Sequence, residues 1–483
     1  MPTDTCAELL DVIERRLHDV GRRRRSLELR RLLESPTPGD DAIGASFDAE
    51  EAAILNEPDY ASLMTGDGDD SLDRRLSLHR RRWPEAVIRT DTGVSQLTRE
   101  LGARMAAFIP WAGDQPASRA QVTEVLRTES NRATREAAWF AALPLAATIE
   151  ADLQRLMSLR NARALTLGGE DFPEMALPAN ELSRLSFLTI GDELEPLTRP
   201  IFEQMLAWMR RENGGETLEP WDIEYYLARL EPPAEAFSGG QADSRVTAVT
   251  RALGIDPATT GISIHDAGSG AARTIAVSMP DDVHCFLTHR DGASALSENL
   301  GAWGRALHAV HVPAEPLVFQ WTSGGFNEAM ASLMVKLGTS AAFAERGDIE
   351  TDAIWHAWQA VWKVRRELAA SLFEVLAYES PGSDLHGLWC EIHEHYLGFP
   401  RHPERLWAAE ERFVTHPLTG PSFLTGRLVA AQLVEVHSAI ADIRSTIWGP
   451  GAREATEALV ERITGRIPDP DAWVRTLSPK VSG

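Results

Sequence analysis

From about Arg81 to Met209 the apolar residues recur at three- and four-residue spacing, most regularly through Ala137–Leu159, and no stretch there alternates convincingly with period two. That periodicity predicts helix after helix, each burying one face. The C-terminal third repeats it, with Trp355, Trp358 and Trp362 at three and four, a stripe read as core rather than as a cofactor box. One place reads as β. Thr274–Met279 and Val283–Thr288 are short, β-branched and separated by Pro280-Asp281-Asp282, which predicts a small hairpin. The fold class is therefore mainly α, and 483 residues with 43% hydrophobic content suffice for a large core.

Charge and composition narrow the function. A net charge of −23 argues against nucleic acid as a partner, because a phosphate-binding surface needs clustered positive charge. No apolar run approaches the length of a membrane span, and the N-terminal stretch lacks a signal-peptide core, so no membrane partner and a cytoplasmic location are expected. Of 48 basic residues only Lys336, Lys363 and Lys480 are lysine, a bias towards arginine that points to a GC-rich bacterial genome. Cys6, Cys285 and Cys390 form no short-spaced pair, so neither a disulfide framework nor a thiolate zinc site is indicated. Arg22–Arg25, flanked by acids, reads as a solvated helix end. Asp67, Asp69 and Asp70, in the loop Met64–Asp73, lack the EF-hand order and read as a plain turn. On a helix through Ile392–His395, the two histidines point away from one another and make no metal pair, so a surface helix is expected.

Residues 1–80 read as a helical subregion and 81–483 as the main domain, with a lobe boundary at the Pro- and Gly-dense 231–243. The frame is set by two stretches. In Ser297–His311, Leu296, Leu300, Trp303, Leu307 and Val310 form one apolar stripe, while Gly301, Arg305 and His308 look out from the other side. In Gly324–Met334, Glu328 stands among small residues.

These two helices resemble the paired helices of the single-domain zinc peptidases, the superfamily that includes angiotensin-converting enzyme, the thimet oligopeptidases and oligoendopeptidase F. Laid over this chain, their HExGHALH pattern falls on Gly301-Ala302-Trp303-Gly304-Arg305-Ala306-Leu307-His308, and their later zinc-binding Glu falls on Glu328. Leu156–Leu177 resembles their segment in which an Arg-Asn pair opens a helix, and Glu219-Pro220-Trp221-Asp222 resembles their Pro-Trp-Asp element. Thr415–Leu433 resembles the segment with a His followed by two tyrosines: His416 matches the His, and Phe423 and Gly426 take the tyrosine positions. The resemblance implies a large helical, two-lobed peptidase-like fold with a deep central cleft, walled on one side by a strand of a small β-hairpin or sheet. His284 and His289 would sit in or just after that strand.

The chemistry departs from the frame. HExxH works because His at i and i+4 face one metal while the Glu takes a proton from the metal-bound water. Here Gly301 and Ala302 ligate nothing, and the Arg305 guanidinium repels a dication. The phenol that would donate to a tetrahedral oxyanion is also missing. No metal and no cofactor are expected, and Arg305 is expected to pair with Glu328 so that the carboxylate is compensated. Arg305 and Glu328 would then receive an anionic or peptide-like small molecule, lined by His284, His289 and Phe423, with His308, His289 or His416 near enough for proton transfer.

Three functions fit that set. The favoured one is a metal-independent enzyme of bacterial small-molecule or natural-product metabolism, acting on a peptide-like or amino-acid-derived anionic substrate, because an Arg, Glu and His set persists in the cleft. The second is a non-catalytic pseudo-peptidase that binds a peptide or a protein partner subunit. The third is a zinc peptidase with unconventional ligands, drawing on His308 or His311.

Overall fold

The computed structural model describes residues 3–34, 36–37, 39–66, 74–112, 115–268, 270–346, 349–437 and 442–477. The Asp67, Asp69 and Asp70 loop and Lys480 lie outside them. Helices α1 (Thr3–Leu33), α2 (Asp40–Leu55), α3 (Pro58–Thr65) and α4 (Arg74–Arg89) share an apolar cluster that includes Leu10, Ile13, Phe47, Tyr60 and Trp83. α4 runs straight across position 80. Arg22–Arg25 lie inside α1 rather than at its end. Arg22, Arg23 and Arg24 pair with Asp19, Glu50 and Asp48, and Arg25 Nε donates to the Val277 carbonyl at 3.2 Å.

The next stretch holds α5 (Thr92–Ala107), the two-residue strands β1 (Trp111–Ala112) and β2 (Gln115–Pro116), α6 (Arg119–Thr128), α7 (Arg132–Trp139) and α8 (Leu143–Thr166). It continues through α9 (Phe172–Ala176), α10 (Arg184–Glu212) and α11 (Pro220–Leu230). Their starts are encoded locally. The Asp91 side chain accepts from the N–H groups of Gly93 and Val94, Ser118 and Gln121 close a capping box, and Pro220 takes the first position of α11.

Beyond 3-10 turns at Ala234–Phe237 and Gly239–Gln241 comes α12 (Ala242–Ala252), followed by the strands β3 (Ser263–Asp266), β4 (Arg273–Ser278) and β5 (Asp282–Leu287). β4 and β5 are the expected hairpin, with Ile275 opposite His284. β3 pairs parallel to β5 and completes the order β3-β5-β4. Three of its four residues are exposed, so it has no apolar alternation to read.

Then follow α13 (Ala293–Ala309), α14 (Gly324–Arg346), α15 (Ile349–Ala377), α16 (Leu385–Leu397), α17 (Arg412–Thr415), α18 (Gly420–Val436), α19 (Thr456–Thr464) and α20 (Pro470–Arg475). No helix among the described residues is long and apolar enough to cross a membrane.

Beyond the α1–α4 cluster lie two large apolar cores, and α15 and α18 belong to both. Trp358, Trp362, Leu424 and Leu428 enter one core, whereas Trp355, Val429, Ala430 and Leu433 enter the other beside Leu300, Trp303 and Leu307 of α13. These two helices therefore join the two cores. α13, α14 and α18 meet backbone to backbone. A Cβ on Gly304 would overlap the Met330 carbonyl, and one on Gly426 would lie 2.5 Å from Glu328 Cβ and 2.8 Å from the Ala329 nitrogen. Gly426→Ala is therefore expected to cost about 2 kcal/mol through forced separation of α14 and α18. Thermal melting checks this, and an unchanged midpoint would show that the two helices part freely.

Candidate ligand-binding cleft

α13 is held rigidly against the sheet. The Asn299 side chain accepts from the Thr288 N–H and donates to the Thr288 carbonyl, each at 2.8 Å, and Thr274 Oγ1 donates to the Ala302 carbonyl at 2.6 Å. Trp303 Nε1 donates to Thr250 Oγ1 at 2.7 Å. Ala302 is fully buried, and a Cβ on Gly301 would already touch Val335 and Ala331 of α14. From the next turn Arg305 Nη2 reaches Glu328 Oε1 at 2.7 Å. The pair faces open space, with 37% of the Arg305 side chain and 28% of the Glu328 side chain exposed.

None of the four histidines hydrogen-bonds to this pair. His308 is buried between α13 and α14, with Nδ1 2.9 Å from Asn327 Oδ1 and its ring edge-on to Phe326. Burial pushes its pKa down to about 4, against the opposing Asn327 hydrogen bond, so the ring is neutral. His284 is bonded to His265 and to Asp282, each at 2.8 Å. His289 is half exposed, with Nδ1 3.5 Å from the Gly239 carbonyl. His416 is exposed at the end of α17, with Nδ1 2.7 Å from Thr415 Oγ1. Phe423 does join the pair's surroundings, because Arg427 stacks over its ring at 4.7 Å and lies in electrostatic range of both Glu328 and Arg305.

Sequence reasoning passed over the cations that surround this point. Arg427 on α18 acts electrostatically on Lys336 of α14 and on Lys363 of α15, and all three act on His356 of α15. Burial pushes the Lys336 amine down to about 7 and the Lys363 amine down to about 8, and Arg427 lowers both further. Burial likewise takes His356 down to about 3. Lys363 is nonetheless exposed to solvent along part of its length. The scarcity of lysine was the one signal in the sequence that could have found it.

On the far side of α15 lies a cavity of about 600 Å³, lined by aromatic residues that include Phe140, Trp362, Trp389 and Phe399, together with Arg366. α16 is a surface helix, with only Leu385, Ile392 and Leu397 buried, and its inner side sets His393 against this cavity. The His393 ring lies 3.7 Å from that of Trp389, and burial takes its pKa down to about 4.

Two sequence landmarks prove to be clamps. Arg160 donates to Tyr378 Oη and to the carbonyls of Phe413 and Val414, at 2.7 to 2.9 Å. Buried Asp222 accepts from Arg135 at 2.7 Å and from Arg132 at 2.8 Å.

Both landmarks lie in the segment that resembles a known family by sequence: the model of peptidase family M3 matches residues 125–248 and ends before α13. No curated protein matches the chain by sequence. In three dimensions the chain is similar to a Pyrococcus furiosus carboxypeptidase, at 15% identity over 99% of each chain and a TM-score of 0.65. It is also similar to PZ peptidase A, at 15% identity over 93% of this chain and 88% of that one, with a TM-score of 0.70. An M32 carboxypeptidase from Deinococcus radiodurans aligns over 98% of each chain at 14% identity and a TM-score of 0.61. The fold is that of the helical M3 and M32 peptidases.

The buried rings make the fold sensitive to acid. As the pH falls below about 6.5 the unfolded chain protonates His308, His356 and His393, while the folded chain refuses those protons until about pH 4 or lower, so stability is lost across that window. Urea denaturation from pH 7 to pH 4 should show that decline, with a shallower slope for His308→Gln, whose amide can keep a bond to Asn327. An equal slope would place a proton on His308 in the folded state.

Proposed function

We propose that this metallopeptidase-like cleft has lost its zinc site and binds an anionic, peptide-like or amino-acid-derived small molecule without a metal. The observation that carries the reading is the Arg305 guanidinium at 2.7 Å from Glu328, the carboxylate that the resembled pattern assigns to zinc. The donor set does not fit a divalent cation. Gly301 and Ala302 offer no ligand atom, Arg305 is a fixed positive charge, and His308 is turned into the α13–α14 interface. Among the described residues no group of three His, Cys, Asp or Glu side chains is placed to hold a metal.

A half-exposed ion pair of this kind contributes under about 1 kcal/mol, so stability alone gives little reason for it. A guanidinium has N–H donors to spare, and those of Arg305 suit a ligand carboxylate. When Arg305 turns to such a group, Glu328 becomes a free carboxylate beside the ligand, able to accept a proton. The peptidase and carboxypeptidase names of the similar structures favour a peptide-like ligand.

A metal-independent enzyme is the fuller form of this proposal. The non-catalytic pseudo-peptidase is supported by a separate observation: each of His284, His289, His308 and His416 has its hydrogen-bond partner outside the pair. His308, the nearest in sequence, is buried and neutral.

Metal analysis of protein purified without added zinc, with a fluorogenic peptide assay alongside, tests the reading. Substoichiometric zinc and no chelator-sensitive cleavage are expected; stoichiometric zinc with cleavage that a chelator abolishes would overturn it. Arg305→Ala is expected to change unfolding free energy by less than about 1 kcal/mol. A larger loss would make the pair a structural salt bridge.

A further inference from the structure

The aromatic cavity beside α15 is built apart from the Arg305–Glu328 pair, neither member of which borders it. Its volume of about 600 Å³ is that of a small-molecule site, which spans about 300–1,000 Å³. The walls are preformed. Trp362 Nε1 donates to Glu224 at 2.9 Å, and its ring meets Phe399 edge-on at 5.9 Å. Trp389 packs on His393 at 3.7 Å and meets Phe373 edge-on at 5.0 Å. Phe140 stands edge-on to Trp221 at 5.5 Å, and Trp139, the last residue of α7, adds a third indole to the lining.

Three arginines and four glutamates also line the cavity, and most of these charges cancel. Arg119 Nη1 donates to Glu411 at 2.5 Å, Arg412 Nη1 donates to Glu367 at 2.6 Å, and Glu410 acts on Arg412. Arg366 and Glu404 are left, each without an ion pair or a side-chain hydrogen bond among the described residues. The two differ in what surrounds them. Arg366 is exposed, so water serves its donors. Glu404 Oε2 is buried and accepts no hydrogen bond among the described residues, which leaves a carboxylate oxygen out of solvent with no donor.

His393 presents a second acceptor. Its Nδ1 lies 2.9 Å from the Trp389 carbonyl, which can only accept, so Nδ1 carries the proton and Nε2 of the neutral ring keeps a lone pair. No donor among the described residues reaches that nitrogen. Burial and, after it, the charge of Arg366 disfavour the imidazolium, so the ring stays an acceptor.

These features share one complement. Two acceptors without donors call for N–H groups, and the faces of the aromatic walls attract a cation. The lining carries one more negative charge than positive, in a chain whose net charge of −23 already draws cations towards it.

We propose that this cavity is a binding site for a small aromatic amine, its ring against Trp139, Phe140 and Trp389 and its ammonium on Glu404, with His393 Nε2 accepting a further N–H or O–H. The site goes beyond the reading of the cleft and stands whether or not Glu328 holds a metal.

Three probes that share a ring and differ in charge test it: 2-(1-naphthyl)ethylamine, 2-(1-naphthyl)ethanol and 1-naphthylacetate, each titrated into the full chain by calorimetry at pH 7. One saturable site per chain is expected for the amine, with an affinity about tenfold or more above those of the alcohol and the acid. Glu404→Gln should remove that advantage and leave the alcohol unchanged, whereas Trp139→Leu should weaken the amine and the alcohol alike. Absence of saturable amine binding, an amine bound no more tightly than the acid or the alcohol, or equal amine affinity in wild type and Glu404→Gln would overturn the proposal. Should Glu404→Gln not fold, unchanged amine affinity in Trp139→Leu overturns it instead.

Discussion

Everything at the cleft depends on how closely α14 lies against α13 and α18. Gly304 admits the Met330 carbonyl, Gly338 lies under the Leu300 methyl groups, and Gly426 rests on Glu328 and Ala329. This spacing brings Glu328 within reach of Arg305 on one side and sets Arg427, one residue past Gly426, on the other. It also links two departures from the resembled peptidase pattern. Any Cβ at position 426 would collide with α14, so a tyrosine there would require the helices to separate. The glycine at 426 and the guanidinium against Glu328 both border the same face of α14.

Much of this frame was legible in the sequence, and the misses have physical causes. The stripe Leu296, Leu300, Trp303, Leu307 described α13, and the spacing of Arg305 from Glu328 described their pairing, because each is a local or two-helix relation. His308 was read as sharing the Arg305 face. Three residues of helix are about 60° short of a full turn, and that offset carries the ring from the cleft into the α13–α14 interface. β3 was invisible because an exposed strand with a parallel partner leaves no alternating pattern. The cation cluster was invisible because its members sit on three helices, and no spacing along the chain relates them.

The segment matched by the peptidase family model and the cleft differ in how much their side chains contribute to the fold. Asp222 with Arg132 and Arg135 is a buried ionic network, and Arg160 is a buried guanidinium clamped by carbonyls. Removing one partner from such a network costs about 3–5 kcal/mol, which leaves that lobe little latitude. Arg305 and Glu328 are half exposed and contribute little to stability. The cleft is thus where a chain can change its chemistry while keeping its fold, which is why a shared fold does not carry a shared activity.

The same reasoning explains why the cations around Arg427 include lysine in a chain that otherwise uses arginine. An arginine keeps its charge whatever surrounds it, so three of them in range would repel one another. An amine lowered to about 7 or 8 can shed its proton. Arg427, with its charge fixed, has the Phe423 ring beneath it and Glu328 in range. Lys336 and Lys363 stand in its electrostatic range with amines lowered to about 7 and 8, so fewer fixed charges oppose one another there.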